Sequence, residues 1–489
     1  MISRFSVPLG QVPTQTLYEA LQPCTITTSS SGATFSNWAD TFACKPLLVF
    51  EPEDEYECKL ILELARREGK VVRAAGVGHS PSDIACTNEF LLRTTKLNRV
   101  LKVDVEKKRV TAQGGIALSD LHVELDKHGL AMINVGSISD QTLAGIVATA
   151  THGSGINYGV LSTHVLSLDI LLADGSRVHC SRGEHPELFM ASICGLGSTG
   201  LLLSIEMEVE PAFRLKEFHK SRPFEEVMAT IDEVARSGEH VRYYWFPAAD
   251  MIGERIANRT SEDKLPAGSW WWDTFWGYHV VQFLLCLGRY WPNLTTWTTR
   301  FSWWLESSDM VRVDDSHRVF NFDCKYQQHT TEWAIPIENA VPCLRDLRSW
   351  LTKELENPRG LRPHVPVEIR FSAADDIWLS PSNGRVTCWI GTVQYKPYGF
   401  NVPYRKLFDG FAQILESHQG RPHWAKAHRF RPDDLRAHYP HFDDFVRVLE
   451  QVDPKGMFRN EYIQRHIFGK PVDPRAFKIR AQGIIPSWP

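Results

Sequence analysis

Four stretches of the sequence concentrate residue types that do chemistry. In "VVRAAGVGHSPSDIAC" (71–86) a short apolar run enters glycines and then presents a lone histidine, His79, beside Ser80, Pro81 and Asp83. In "GSISDQTLAGIVATATHGSG" (136–155) small residues and hydroxyls dominate, so backbone N–H groups can approach a phosphate closely while serine and threonine add donors. "VEIRF" (367–371) sets Glu368 and Arg370 two apart, and on a strand that spacing projects a carboxylate and a guanidinium from one side. "RPHWAKAH" (421–428) gathers His423, Trp424, Lys426 and His428 into one short segment.

Each stretch also has a plain structural reading. His79 and Asp83 stand four apart, as ligands on a helix would, but Pro81 biases Ser80 away from helical dihedrals and no other ligand spacing supports a metal. A buried structural histidine is the other bland reading; a histidine between glycine and Ser-Pro, on a loop that a strand delivers, favours function. Residues 136–155 equally suit a small-residue packing interface, and Glu368 with Arg370 a structural ion pair. Taken together, the two loops favour a phosphate-rich cofactor. Other apparent motifs are decoys. "GLGSTG" (195–200) matches G-x-G-x-x-G, yet a dinucleotide fingerprint follows a strand and opens a helix, whereas here a helix precedes and "LLLSIEMEV" follows as a strand. "GVGHSP" fails because Pro81 holds the third glycine position. Asp433 and Asp434, after Pro432, read as a helix start, and Asp443-Asp444 and Asp314-Asp315 as solvated surface.

The elements that must position these residues are legible around them. "PLLVFEP" reads as a strand, "EDEYECKLILELARREG" as a helix starting near Pro52 with Tyr56, Leu60, Ile61, Leu64 and Ala65 on one face and Gly69 as its cap, and "VVRAAG" as the strand that presents His79. "RVTAQGG" is a strand, "LSDLHVELDKHG" a helix capped by Gly129, "HVLSLDILLADGSRVHC" a hairpin turning at Asp174-Gly175, and "GLLLSIEMEVEP" a long strand. Beyond 215, "VPVEIRFSA" and "VTCWIGTVQYKPY" are strands among helices such as "LFDGFAQILESH" and "FDDFVRVLEQV". This mixture predicts an α+β class. Residues 1–44, rich in serine and threonine, read as an arm or loosely packed lead-in.

With 489 residues the chain exceeds what one core organises, and its 43% hydrophobic and 23% charged composition is ordinary for a folded soluble protein. A formal charge of −4 gives no basic footprint for nucleic acid. The 10 cysteines include no C-x-x-C pair, which suits core packing in a reducing compartment. Half of the 16 tryptophans fall in 268–306, where the longest apolar run is too short to span a bilayer. That segment reads either as a core-facing helical hairpin or as a peripheral membrane contact. The N-terminus shows no apolar core of a secretory signal, so the expectation is an intracellular protein associated with the endoplasmic reticulum or a mitochondrial membrane. Two other function classes remain on residues alone: a metal-dependent hydrolase using the 19 histidines, and a membrane-bound carbohydrate-binding protein built on the tryptophans.

"GHSPSD", "VGSISDQTLAGIVATATHGSG", "VEIRF", "GRPHWAKAH" and "DPKGMFRNEY", in that order, resemble the aldonolactone oxidases of the vanillyl-alcohol-oxidase flavoprotein class, over nearly the whole chain from about residue 37. The resemblance implies a two-subdomain, PCMH-type FAD-binding domain (45–215) after the arm (1–44). An α+β cap or substrate domain (216–489) would follow, its C-terminal segment returning to the flavin. It implies FAD bound covalently through His79 to the 8α-methyl carbon, within a loop that includes Gly76, Val77, Gly78 and Ser80. Ser137, Thr142, Gly145, Thr149, Thr151, His152 and His423 would lie along the cofactor; Glu368, Arg370, Thr392 and Lys426, with Ser137, would lie on the substrate side. The implied reaction takes hydride from C2 of a sugar γ-lactone, of D-arabinono-, L-gulono- or L-galactono- type, with O2 as acceptor. Sugar-alcohol oxidases and lactone dehydrogenases on the same fold are the alternative. In the resemblance the dehydrogenases carry alanine at the position of Gly114, which makes Gly114 a candidate oxygen passage; a strand-end glycine kept for its conformation is the alternative.

Overall fold

In a computed structural model, residues 5–479 are described apart from positions 6, 28, 266, 267, 322, 323, 325 and 365. Helix α1 (Thr14–Leu21) buries Leu17 and Leu21 in one core with α2 (Glu55–Glu68). The expected loose lead-in is therefore packed structure: its few apolar residues recur at helical spacing and reach the α2 face. Between these helices come β1 (Thr25–Ile26), β2 (Phe35–Ser36), β3 (Ala43–Cys44) and β4 (Leu48–Phe50). Asp54, rather than Pro52, caps α2, its carboxylate accepting from the Glu57 N–H at 2.9 Å, and Gly69 ends the helix at φ 62°. β5 (Val72–Ala75) and β6 (Phe90–Arg93) complete a four-stranded sheet ordered β1-β4-β6-β5, with β4 and β5 each parallel to β6.

A second sheet packs beside it. β7 (Val100–Asp104) and β8 (Arg109–Gln113) lead into α3 (Leu118–Lys127), β9 (Leu130–Ala131) and the short α4 (Leu143–Ala148). β10 (Val165–Leu171) and β11 (Arg177–Ser181) form the hairpin at Asp174-Gly175. After α5 (Pro186–Ser192), the "GLGSTG" segment turns the chain into β12 (Leu201–Glu208), so it is a helix-to-strand turn as expected. The five strands are antiparallel in the order β11-β10-β12-β8-β7, and the short β13 (Glu210–Pro211) pairs with β9.

The remainder is built on one eight-stranded antiparallel sheet. β14 (Arg214–Pro223), α6 (Phe224–Ser237), β15 (His240–Phe246) and β16 (Met251–Thr260) come first. A π-helical segment, Trp270–Val280, runs into α7 (Val281–Gly288) and turns back along α8 (Pro292–Glu306). Next are β17 (Met310–Asp315), α9 (Ser316–Phe320), β18 (Gln328–Pro336), α10 (Ala340–Glu356), β19 (Val367–Ser372), β20 (Thr387–Tyr395) and α11 (Arg405–Ser417). β21 (Arg421–Pro422), α12 (Pro432–His438), α13 (Phe442–Val452) and α14 (Glu461–His466) close the chain. The strand order is β17-β14-β16-β15-β19-β20-β18-β21.

Strand alternation gives this sheet two unlike faces. Val367, Ile369 and Phe371 of β19, with Val241, Tyr243 and Trp245 of β15, join the apolar core shared with α6, α10 and α11. Glu368 and Arg370 point the other way, as their spacing predicts. On that second face the register aligns Arg255, Arg242 and Arg370 across β16, β15 and β19, and aligns Tyr244, Glu368, Gly391 and Glu332 across β15, β19, β20 and β18. The C-terminal helix α14 comes back to the loop after β5: Arg465 pairs with the buried Asp83 at 2.7 Å, and the Asn460 side chain donates to the carbonyls of Ile84 and Cys86.

Candidate active site

A cavity of about 1240 Å³ lies between the N-terminal half of the chain and the polar face of the eight-stranded sheet. Its inner end is lined by His79, Ser137, Thr151, His152, Glu368, Arg370, His423 and Lys426, all anticipated from sequence, together with Glu332 and Gly391. The π-helical segment and α8 wall its outer end through residues such as Trp272, Tyr278 and Trp304.

His79 is held by a hairpin that the sequence left as an arm. Trp38 between β2 and β3 stacks on the imidazole, with ring centres 5.3 Å apart and planes 20° apart. The Trp38 N–H donates to the Gly78 carbonyl at 2.8 Å, and the Asn37 amide donates to the Ser80 carbonyl at 3.0 Å. Gly78 sits at φ 79°, the left-handed region that a glycine enters at no steric cost. Burial, reinforced by Lys426 and opposed by Asp140, holds the imidazole below its ordinary value, so the ring is neutral near pH 7. Its Nδ1 is buried without a hydrogen-bond partner among the described residues. A neutral, oriented ring with an orphaned nitrogen at a cavity fits a flavin attachment point.

Arg370 is the hub of the inner end. One terminal nitrogen donates to the Ser137 hydroxyl at 3.1 Å; the other lies 3.0 Å from Glu332 and 3.2 Å from Glu368. Tyr244 donates to Glu368 at 3.3 Å. His152 donates through Nε2 to Glu332 at 3.0 Å, and its ring lies flat on Trp389 at 3.7 Å. Burial by itself would raise the Glu332 carboxyl, but His152, Lys426 and Arg370 outweigh it and hold the group well below the usual carboxylate range. Burial, and then Lys426, push His423 well below its ordinary value. His152, Glu332 and His423 place ligand atoms within 4.8 Å of one another. That donor set suits a metal, yet its one carboxylate already serves two cationic side chains, which oppose a third cation.

Other expected residues lie elsewhere. Thr392 does not face the cavity: Gly391 and Val393 line it, and the residue between them points to the opposite side of β20. Gly76, Val77, Gly78, Ser80, Thr142, Gly145 and Thr149 are not among the lining residues. The first four belong to the loop after β5, and Thr142, Gly145 and Thr149 to α4 and its two ends; the two segments touch, since a Cβ on Gly76 would fall 2.3 Å from the Thr142 hydroxyl. The first turn of α4 is also engaged, since the N–H groups of Leu143 and Ala144 donate to the carbonyls of Ile116 and Gly114. Gly114 itself offers no open passage. A Cβ there would meet the Leu202 carbonyl oxygen at 2.6 Å and the Ala144 Cβ at 3.0 Å. Gly114→Ala is therefore expected to destabilise the fold by about 1–3 kcal/mol and to slow both half-reactions together. Thermal melting with stopped-flow reduction and reoxidation checks this; selective slowing of reoxidation by oxygen would restore the passage.

Sequence reading missed Glu332, Trp389, Trp38 and Gly391. Glu332 had one signal, a carboxylate inside the apolar strand "TTEWAIP". Gly391 lies between Glu368 and Glu332 across three strands, and its missing side chain leaves the space in front of both carboxylates open.

Comparison with known proteins matches residues 205–466 to the family "D-arabinono-1,4-lactone oxidase" and residues 46–181 to "FAD binding domain". The chain is 40% identical over 438 residues to the L-gulonolactone oxidase of Scyliorhinus torazame, covering 89% of this chain and 99% of that protein. It is 32% identical over 435 residues to the L-gulono-1,4-lactone dehydrogenase of Mycobacterium tuberculosis, covering 88% and 98%. Among solved structures a solvent-stable cholesterol oxidase superposes with a TM-score of 0.72 at 20% identity, over 87% of this chain and 96% of that one, a likeness of fold alone.

Proposed function

From the premise that this chain belongs to the D-arabinono-1,4-lactone oxidase family of FAD-dependent oxidoreductases, we infer that it oxidises an aldono-1,4-lactone at C2 and passes the electrons to O2. The observation that carries the reading is the meeting of His79, Ser137, Glu368, Arg370 and Lys426 around one cavity. FAD, when bound, supplies the two-electron oxidant. Arg370 and Lys426 stabilise negative charge as the C2 hydroxyl gives up its proton, and Glu368 holds Arg370 while accepting from substrate hydroxyls. Two hydrogens leave the lactone and reduce O2 to H2O2, and the ketolactone enolises to an ascorbate-type product. We assign His79 as the residue that would hold FAD covalently. Its neutral imidazole nitrogen would bond the 8α carbon of the ring's methide form, the methyl and the imidazole each giving up a proton. The ring, reduced by two electrons in the process, would be reoxidised by O2. The test is an absorbance spectrum of the purified protein, then oxygen uptake with D-arabinono-, L-gulono- and L-galactono-1,4-lactone. A colourless protein, or one that oxidises none of the three, would refute the assignment. Reduction of the flavin by lactone without reoxidation by O2 would make the chain a dehydrogenase, as one relative is named.

The tryptophan-rich hairpin supports a peripheral membrane contact. It is a helical hairpin, but not a core-facing one: Trp270, Trp271, Trp291 and Trp297 are 60 to 67% exposed. Among the described residues no helix is long and apolar enough to cross a membrane. Exposed tryptophans flanking short helices suit the headgroup boundary, and the same hairpin walls the cavity's outer end. The proposed location is accordingly an intracellular membrane surface. Trp270→Ser, Trp271→Ser and Trp272→Ser together are expected to move the protein from the membrane to the soluble fraction. Wild-type protein recovered wholly soluble at low salt, without detergent, would sink the contact.

A further inference from the structure

Glu332 joins parts of the molecule that are far apart in sequence. One carboxylate oxygen receives His152 Nε2 and an Arg370 terminal nitrogen, each at 3.0 Å, and the other lies 3.5 Å from Lys426 Nζ. Its backbone carbonyl accepts from the His423 N–H at 3.0 Å, which anchors the segment that carries Lys426. Those partners come from the 149–155 loop, from β19 and from the loop after β21. We propose that Glu332 is a positioning residue, whose carboxylate holds Arg370 and Lys426 at the reacting end of the cavity and cancels one of their two charges.

This rests on the reading of the cavity as the flavin and lactone site. Proton removal is an unsuitable task for Glu332, because its cationic neighbours keep it ionised far below the range in which a carboxylate is an effective base. Orientation and charge balance suit it. Arg370 and Lys426 face Glu332 and Glu368, and together the four are neutral. Trp389, stacked on His152, keeps the imidazole aimed at the carboxylate. Withdrawing only the Glu332 charge leaves one excess cation in a buried site, where charges interact far more strongly than in water.

Glu332→Gln preserves the shape and removes the charge. We expect turnover to fall on the order of a hundredfold with KM changed much less, because the misplaced donors act on the transition state. Independently of turnover, inorganic sulfate should bind the cavity about tenfold or more tightly than in wild type, measured by calorimetry on the protein. Glu332→Asp, which restores the charge at a shifted position, should return sulfate affinity to the wild-type level while keeping part of the turnover loss. Folded Glu332→Gln with turnover within about threefold of wild type would overturn the proposal. Lost turnover with unchanged sulfate affinity would also overturn it, reducing Glu332 to a packing role. A wild type that oxidises no aldonolactone would instead overturn the reading of the site, and this role with it.

Discussion

Arg370→Ala is expected to lower the rate of flavin reduction by lactone about a hundredfold or more, as loss of an oxyanion-type donor does. The guanidinium is buried and bridges Ser137, Glu332 and Glu368. Alanine would remove a charged donor from the cavity and leave Glu332 and Glu368 without the guanidinium between them. Breaking a buried ion pair costs about 3–5 kcal/mol of stability, so the variant should also melt at lower temperature. Arg370→Lys keeps a charge but loses the planar fork that reaches a serine and two carboxylates at once, and should recover only part of the rate. Glu368→Gln should cost less than Arg370→Ala, because it removes an orienting partner and leaves the donor. Anaerobic stopped-flow reduction with lactone is the measurement. Near-normal reduction in Arg370→Ala would remove the residue from the chemistry.

His79→Ala is expected to change the state of the cofactor from all bound to all extractable. Wild-type flavin should stay with the polypeptide through acid precipitation, because denaturation abolishes every contact except a covalent one. What supports the proposed tether is a ring held neutral and stacked on Trp38, its Nδ1 buried without a hydrogen-bond partner among the described residues. The alanine variant should precipitate colourless protein and leave yellow supernatant. Flavin released by acid from the wild type would refute the tether and leave the rest of the site intact. Trp38→Ala serves as a control on orientation, since it should slow attachment without preventing it.

Much of the site was legible because its signals are local. Glu368 and Arg370 share a strand, and alternation alone places both on one face. The capped helix after β4, the hairpin at Asp174-Gly175 and the turn at "GLGSTG" follow from short-range propensity, and the structure has each. Thr392 came from the resemblance and not from alternation. Gly391 and Val393 line the cavity, and a shift of one residue along a strand reverses the face. The arm before β4 was misjudged. Its polar composition is real, yet Asn37 and Trp38 are ordered by contacts with the His79 loop that no local pattern announces.

The sequence by itself determined the α+β class, the presence of a histidine on a glycine-bounded loop, the paired carboxylate and guanidinium on a strand, and through its ordered motifs the family of the chain. Only the tertiary structure decided that Glu332, on β18, meets Arg370, on β19, because the intervening neighbour in space is β20, which comes later in the chain. It decided likewise that Gly391 opens the floor between two glutamates, that Trp38 covers His79, and that the tryptophan hairpin stands exposed at the outer wall of the cavity. The physical reason is common to all of these. Side-chain periodicity and turn chemistry act over a few residues and are written into the chain locally. Strand order, cross-strand register and the burial of a charge depend on which distant segments pack together to minimise exposed apolar surface and unpaired polar groups, and no single segment carries that information.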